Sequence, residues 1–222
     1  MTIENRFRGP EGSANGGYAA GLLAAVLHGP AEVTLRLPPP LERPLAIEAR
    51  GDGAVLLDGE AVVAEAVPTQ LELDVPAFVS FDDAVVASSH YLAFGADTFR
   101  GCFSCGQLRV EGDGLRILPG RARPSDPVAA PWVAREPSLP VVWAAIDCSG
   151  AYAVSAQGRG ETLLGRMAAR VERLPEEGER CVVVGWPCGE DGRKLHAGTA
   201  LWSAEGELLA LARQTWIVPR PL

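Results

Sequence analysis

The sequence has almost no lysine, because Lys194 is the only one and arginine supplies the rest of the basic side chains. Acidic residues outnumber basic ones, 28 to 20, and the formal net charge is −8. Proteins that bind nucleic acid through its phosphates need a basic surface to replace counterions. The composition therefore argues against nucleic-acid binding and leaves room only for a local basic patch that contacts one anionic ligand.

Long hydrophobic runs are also missing. The longest apolar stretch, residues 16–27, is rich in glycine and alanine and is shorter than the ~20 residues that a membrane-spanning helix needs. The N-terminus does not resemble a signal peptide, so we expect a cytoplasmic protein with no membrane contact. With 222 residues, 47% of them hydrophobic, the chain can bury a sizeable core as one large or two small domains.

The five cysteines are an odd number in a chain without a secretory signal, which favours reduced thiols. Cys102 and Cys105 form a Cys-x-x-Cys pair followed by glycine, which resembles one half of a zinc knuckle. A structural zinc site usually needs two such pairs, and the other cysteines form no second one. We therefore predict no metal and no cofactor, with a tight turn as the alternative for the pair. Cys148 is predicted to be a buried structural residue.

A weak internal repeat is the most informative pattern. The apolar segment 15–27 is followed by short alternating strands and a hairpin at 56–66. Later, the apolar segment 141–156 is followed by further strands and a hairpin at 201–214. Both hairpins carry Gly-Glu at the turn. The pattern predicts a duplicated unit whose copies pack together.

The order of elements predicts an α+β protein in which a buried helix is followed by antiparallel strands, twice. Asn15 is expected to cap the first helix. Residues 67–90 are expected to connect the halves, with room for one more strand, and 114–120 are predicted to form a strand. The predicted halves are 1–98 and 99–222.

This arrangement resembles the hotdog fold and, in its tandem form, the double-hotdog acyl-CoA thioesterases. The Gly-Gly helix start in 15–27 and the strand that ends in proline within 35–45 are similar to that family. The resemblance covers most of the chain. It implies a tandem (double) hotdog in which each half is an antiparallel sheet wrapped around a long buried helix.

Three polar residues carry the sharper resemblance, which is to the thioesterase II branch. That branch has an aspartate in the C-terminal helix, a threonine or serine just before the next strand and a glutamine on the last strand. Asp147, Thr162 and Gln214 follow this order. The resemblance implies that Asp147 activates a water for attack on a thioester carbonyl, while Thr162 and Gln214 hold that water.

The residues themselves leave alternatives open. Asp147 is the only charge in 141–156, and a buried carboxylate must be paired, hydrogen-bonded or neutralised. It could therefore equally be a structural residue bonded to backbone amides. Gln214 could be a solvent-facing strand residue, and Asn15 could be a helix cap alone.

Substrate contacts are expected at two places. Backbone N–H groups at a helix start near Gly16 and Gly17, with help from Asn15, could stabilise an oxyanion. Arg193 and Lys194 are the candidates for a phosphate contact with coenzyme A, with a solvated turn as the alternative.

The function predicted from the sequence is hydrolysis of an acyl-CoA thioester at the interface of two hotdog halves. The alternative is a non-catalytic protein that binds acyl-CoA or another acyl ligand on the same fold. A hotdog dehydratase is not favoured, because neither helix carries an Asp-x-x-x-x-His pairing. Self-association through the hotdog sheets stays open.

Overall fold

The computed structural model describes residues 1–91, 99–155 and 161–220. A short 3₁₀ helix covers Asn5–Phe7. The α-helices within these ranges are α1 (Gly16–Ala24), α2 (Phe81–Ser89), α3 (Leu139–Ala145) and α4 (Cys148–Ser155). The strands are β1 (Ala31–Leu35), β2 (Ala46–Arg50), β3 (Gly53–Asp58), β4 (Ala61–Pro68), β5 (Val128–Val133), β6 (Leu163–Val171), β7 (Arg180–Asp191), β8 (Lys194–Ser203) and β9 (Leu208–Ile217).

The strands form one antiparallel sheet with the order β2-β3-β4-β1-β6-β9-β8-β7-β5. The pair β1–β6 joins its two parts, with Ala31 opposite Ala169 and Thr34 opposite Arg166. Outward from this pair the order is β1-β4-β3-β2 on one side and β6-β9-β8-β7 on the other, with β5 beyond β7. The hairpins noted in the sequence, β3–β4 and β8–β9, therefore occupy matching places in the sheet.

One face of the sheet is covered by helices. The apolar surfaces of α1 and α3 share a core with strand residues that include Val33, Met167 and Val183. Asn15 caps α1 as predicted, since its Oδ1 accepts a hydrogen bond of 2.8 Å from Tyr18 N. In the second half, the apolar segment forms the two short helices α3 and α4 in place of one long helix.

The two helices α1 and α3 approach each other closely where α1 carries glycine. A Cβ added to Gly21 would lie 2.6 Å from Pro140 Cα and 2.8 Å from Trp143 Cβ. Real Cβ atoms do not come so close, so only glycine fits at this contact. This packing is the physical reason for the glycine and alanine content of the first apolar segment.

The opposite face is covered by the connector between the halves. Leu71 packs on Ala200 and Leu211, and α2 packs on Val182 and Val184. Alternate residues of β7 therefore face the two sides, with Val183 toward the helices and its neighbours toward the connector.

The expectation of one more strand within 67–90 is wrong, since β4 ends at Pro68 and the structured element that follows is α2. Ser80 starts this helix by accepting a hydrogen bond of 3.1 Å from Asp83 N. A serine cap followed by aspartates in the first turn favours helix over strand. The capping residues of this segment therefore predict the helix that the structure contains.

The predicted strand at 114–120 is also not formed. Its backbone bonds to the cysteine-containing turn, with Leu115 N to Phe103 O at 2.8 Å and Ile117 N to Ser104 O at 2.9 Å. Residues 115–117 therefore pair with a turn outside the sheet, and Gly120 makes an isolated bridge to Ala129 of β5. The predicted boundary between the halves, at residue 98, lies outside the described residues.

Among the helices of the described residues, none combines the length and the apolar character needed to cross a lipid bilayer.

Candidate active site at the junction of two helices

Asp147 lies at the break between α3 and α4. Helix α3 ends at Ala145, Ile146 leaves the helical conformation, and α4 begins at Cys148. Gly150 N donates to Asp147 O at 3.1 Å in the first turn of α4. The break directs a carboxylate into the core, where only 2% of Asp147 is exposed.

The start of α1 holds one oxygen of this carboxylate. Asp147 Oδ2 accepts hydrogen bonds from Gly17 N at 3.1 Å and from Asn15 Nδ2 at 2.9 Å. Both donors belong to the N-terminus of a helix, whose dipole favours negative charge. Asn15 is therefore both a helix cap and a carboxylate ligand. The other oxygen, Oδ1, is buried and has no hydrogen-bond partner among the described residues.

Burial raises the pKa of Asp147 to about 7, and the neighbouring Cys102 thiol adds to this effect. The hydrogen bonds from Gly17 and Asn15 act in the opposite direction. Removal of a carboxylate from water penalises its charged form, and the two donors offset part of that penalty.

Gln214 lies on β9 directly beneath this junction and is completely buried. Its Nε2 donates to Ile146 O at 2.7 Å and to Asp147 O at 3.1 Å, while its Oε1 accepts from Trp216 Nε1 at 2.8 Å. The structure excludes the solvent-facing alternative and shows that Gln214 holds the backbone of the junction. Thr199, which the sequence analysis missed, donates from Oγ1 to the same Ile146 carbonyl at 2.8 Å.

These contacts predict a stability cost for Gln214→Leu. Leucine has a similar volume but leaves the indole N–H of Trp216 without an acceptor in the core. We expect the free energy of unfolding to fall by about 2 kcal/mol, measured by urea denaturation. The matched control is Gln70→Leu on the exposed connector, with an expected change within about 0.5 kcal/mol. Equal stability of the two variants would contradict the positioning role.

Thr162 is buried and immediately precedes β6. Two residues later, the Leu164 side chain lies 3.1 Å from the position that a Cβ on Gly16 would take. The segment that carries Thr162 therefore reaches the start of α1, which is the helix end that contacts Asp147. A direct role for Thr162 stays a prediction.

Arg193 lies on the exposed turn between β7 and β8, and the exposed Lys194 is the first residue of β8. Arg193 Nη1 donates to Val218 O at 2.9 Å, and Lys194 pairs in register with Ile217. These contacts are with the end of the chain and of β9. A phosphate contact at this turn stays a prediction.

Three thiols form a cluster beside the carboxylate. Cys148 Sγ lies 3.8 Å from Cys102 Sγ, and the sulfur atoms of Cys102, Cys105 and Cys148 all lie within 4.8 Å of one another. All three residues are buried. Asn15 Nδ2 lies 3.7 Å from Cys102 Sγ, so one amide contacts both the cluster and Asp147.

Hydrogen bonds from Cys105 and Cys148 to Cys102 hold the pKa of the Cys102 thiol well below its usual range. The same contacts raise the pKa values of the two donors. Cys148 is buried as predicted, but the sequence spacing did not reveal that it joins the Cys-x-x-Cys pair.

A cavity of about 230 Å³ is lined by residues that include Phe103 of the cysteine-containing turn and Val141 of α3. Phe103, Trp132 and Val141 contribute apolar walls, and Arg6 and Arg135 line it as well. Both arginines are paired with glutamates that also line the cavity. The cavity therefore combines an apolar surface with two arginine–glutamate ion pairs.

The nine-stranded antiparallel sheet with helices packed on one face is that of an α+β hotdog protein. Neither a family model nor a curated protein matches the sequence. Solved structures, in contrast, are similar to this chain. A hot dog fold protein of unknown function from Alicyclobacillus acidocaldarius gives a TM-score of 0.63 at 12% identity, over 100% of this chain and 92% of that chain.

Two further similar structures come from mycobacteria. The tesB protein of Mycobacterium avium subsp. paratuberculosis gives a TM-score of 0.61 at 12% identity, over 99% of this chain and 91% of that chain. The acyl-CoA thioesterase II TesB2 of Mycobacterium marinum gives a TM-score of 0.59 at 11% identity, over 93% of this chain and 89% of that chain. The predicted resemblance to hotdog proteins of the thioesterase II type is confirmed, and at this identity the likeness shows the fold alone.

Proposed function

We propose that this protein is an acyl-CoA thioesterase-like hydrolase with a tandem hotdog architecture, divided into halves at 1–98 and 99–222. The observation that carries the proposal is the state of Asp147. Its carboxylate is buried, one oxygen is held by the start of α1, and the other has no hydrogen-bond partner in the part of the chain that the structure describes. An oxygen oriented in this way is suited to accept a proton from a water molecule.

In the proposed reaction, a water oxygen attacks the thioester carbonyl carbon while Asp147 takes the proton from that water. The C–S bond then breaks, and the proton passes to the coenzyme A thiolate to give free thiol and carboxylic acid. A thiolate leaves readily, so no strong acid is required. The backbone N–H of Gly16 stabilises the oxyanion, since the N–H of Gly17 is donated to Asp147 Oδ2.

The remaining site residues position these groups. Asn15 and Gly17 orient the carboxylate of Asp147, and Gln214 donates a hydrogen bond to the main-chain carbonyl of the same residue. Thr162 supplies a second hydrogen bond to the attacking water. Gln214 is a positioning residue in this proposal, since both ends of its amide are engaged by protein groups.

The cavity near α3 suits the ligand chemistry. An acyl chain needs apolar walls such as those of Phe103 and Trp132. The phosphates of coenzyme A need cations, and Arg6 and Arg135 would exchange their glutamate partners for phosphate oxygens. Arg193 and Lys194 remain the alternative phosphate contact.

A second candidate function is non-catalytic binding of an acyl-CoA or another acyl ligand. It is favoured by the engagement of the Gln214 amide and by the near-complete burial of Asp147. Both observations fit a structural polar network that stabilises a binding fold.

A panel of acyl-CoA esters with chains of different length separates the two functions. Binding is measured by titration calorimetry, and hydrolysis by release of free coenzyme A. We expect release of coenzyme A from at least one ester that binds. Because Cys188 is exposed and would react with thiol reagents, the assay uses the Cys188→Ser protein. Binding without any release of thiol would favour the binding protein.

A further inference from the structure

We propose that Cys102, Cys105 and Cys148 form a zinc-binding site with three thiolate ligands. None of these residues takes part in the proposed hydrolysis. The site therefore stands or falls independently of the thioesterase proposal.

The spacing of the sulfur atoms fits a zinc ion. A tetrahedral zinc–thiolate centre with Zn–S distances of about 2.3 Å has neighbouring sulfur atoms about 3.8 Å apart. The Sγ atoms of Cys102 and Cys148 are 3.8 Å apart, and all three pairs lie within 4.8 Å. The three atoms thus already surround one position at nearly the required distances.

The local structure holds two of the ligands in place before any metal binds. The turn is closed by Cys102 N to Phe99 O and by Gly106 N to Cys102 O, both at 2.9 Å. A Cβ on Gly106 would lie 2.4 Å from Cys102 O, so the glycine after the second cysteine is required by the turn. Hydrogen bonds from 115–117 to the turn fix it against the next segment.

The third ligand comes from a distant part of the chain. Cys148 is the first residue of α4, and that helix packs on β7 and β8. A site that joins the 102–105 turn to the helix junction connects two segments that the sheet alone does not hold together. Coordination of one zinc ion would explain why all three thiols are buried in one place.

Ligand chemistry selects the ion. Thiolates are soft ligands that bind Zn²⁺ or Cu⁺ in preference to Mg²⁺ or Ca²⁺. The group of three ligand atoms found among the described residues fills three of the four tetrahedral positions, as in zinc sites with three protein ligands. The tetrahedral spacing of sulfur atoms leads us to commit to zinc.

The test uses the full chain, purified under reducing conditions and stripped of metal with a chelator. Titration with Zn²⁺ against a chromophoric competitor is expected to show one ion per chain. X-ray absorption of the zinc-loaded protein should show three sulfur scatterers at about 2.3 Å. Cys105→Ser and Cys148→Ser should each weaken binding by at least about 100-fold, whereas Cys181→Ser and Cys188→Ser should leave it unchanged.

Three results would overturn the proposal: no stoichiometric Zn²⁺ binding by the reduced protein, unchanged affinity in folded Cys148→Ser, or stoichiometric binding of Cu⁺ without Zn²⁺. Circular dichroism establishes whether each variant is folded. If Cys148→Ser does not fold, the number of sulfur ligands that X-ray absorption shows in the wild-type zinc complex tests the proposal instead. Fewer than three sulfur ligands would contradict it.

Discussion

Replacement of Asp147 by asparagine is expected to lower the rate of thioester hydrolysis by about 10²- to 10⁴-fold, the range typical for loss of a general base. The substituted amide has nearly the same volume, and its oxygen can still accept the hydrogen bonds from Gly17 and Asn15. The packing of α1 on α3 should therefore be retained. What is lost is the ability to take a proton from water.

The measurement is steady-state release of coenzyme A, with kcat and KM determined separately. We expect the loss in kcat, since the acyl-CoA contacts are not altered. The matched control is Asp58→Asn, because Asp58 lies at a hairpin turn and is paired with Arg43 on the surface. A rate for Asp147→Asn within about twofold of the control would remove Asp147 from the mechanism.

Gly17→Ala is expected to lower both stability and activity. The added Cβ would lie 2.6 Å from Trp143 O and 2.6 Å from Asp147 Cβ. Because Trp143 O belongs to the main chain, α1 must move away from α3, and overpacking of this kind costs about 3 kcal/mol. The movement also draws the Gly17 N–H away from Asp147 Oδ2, so hydrolysis should fall below wild type even where the variant is fully folded.

Gly29→Ala provides the control, because a Cβ at Gly29 meets no atom within 4 Å. Its free energy of unfolding should change by no more than about 0.5 kcal/mol. Urea denaturation of both variants compares the two sites, and kcat/KM is measured well below each unfolding midpoint. If Gly17→Ala and Gly29→Ala have the same free energy of unfolding, α1 and α3 do not pack as closely at Gly17 as the structure shows.

The sequence predicted those elements whose signals are local. Asn15 before an apolar segment predicts a capped buried helix, and Gly-Glu between alternating strands predicts the hairpins at 56–66 and 201–214. The expectation of a further strand failed where a helix cap was overlooked. Within 67–90, where one more strand was expected, the serine cap at Ser80 begins a helix.

Other differences arose because tertiary contacts replaced local preferences. Residues 114–120 have an extended pattern, yet Leu115 and Ile117 bond to the cysteine turn and Gly120 makes an isolated bridge to Ala129 of β5. The apolar run 141–156 predicts one helix. The break at Ile146 is instead stabilised by Thr199 and Gln214, which bond to its carbonyl from strands far along the chain.

By itself, the sequence determined the α+β class and the buried helix of the first half, because composition, caps and periodicity act over a few neighbouring residues. The three polar residues to consider were indicated by the resemblance to the thioesterase II branch. Only the tertiary structure brought Asn15 to Asp147 across 132 positions, turned the Gln214 amide toward the backbone and placed Cys148 beside Cys102. Such contacts depend on how the two halves of the sheet pair and how closely α1 and α3 pack. No pattern within either segment records that packing.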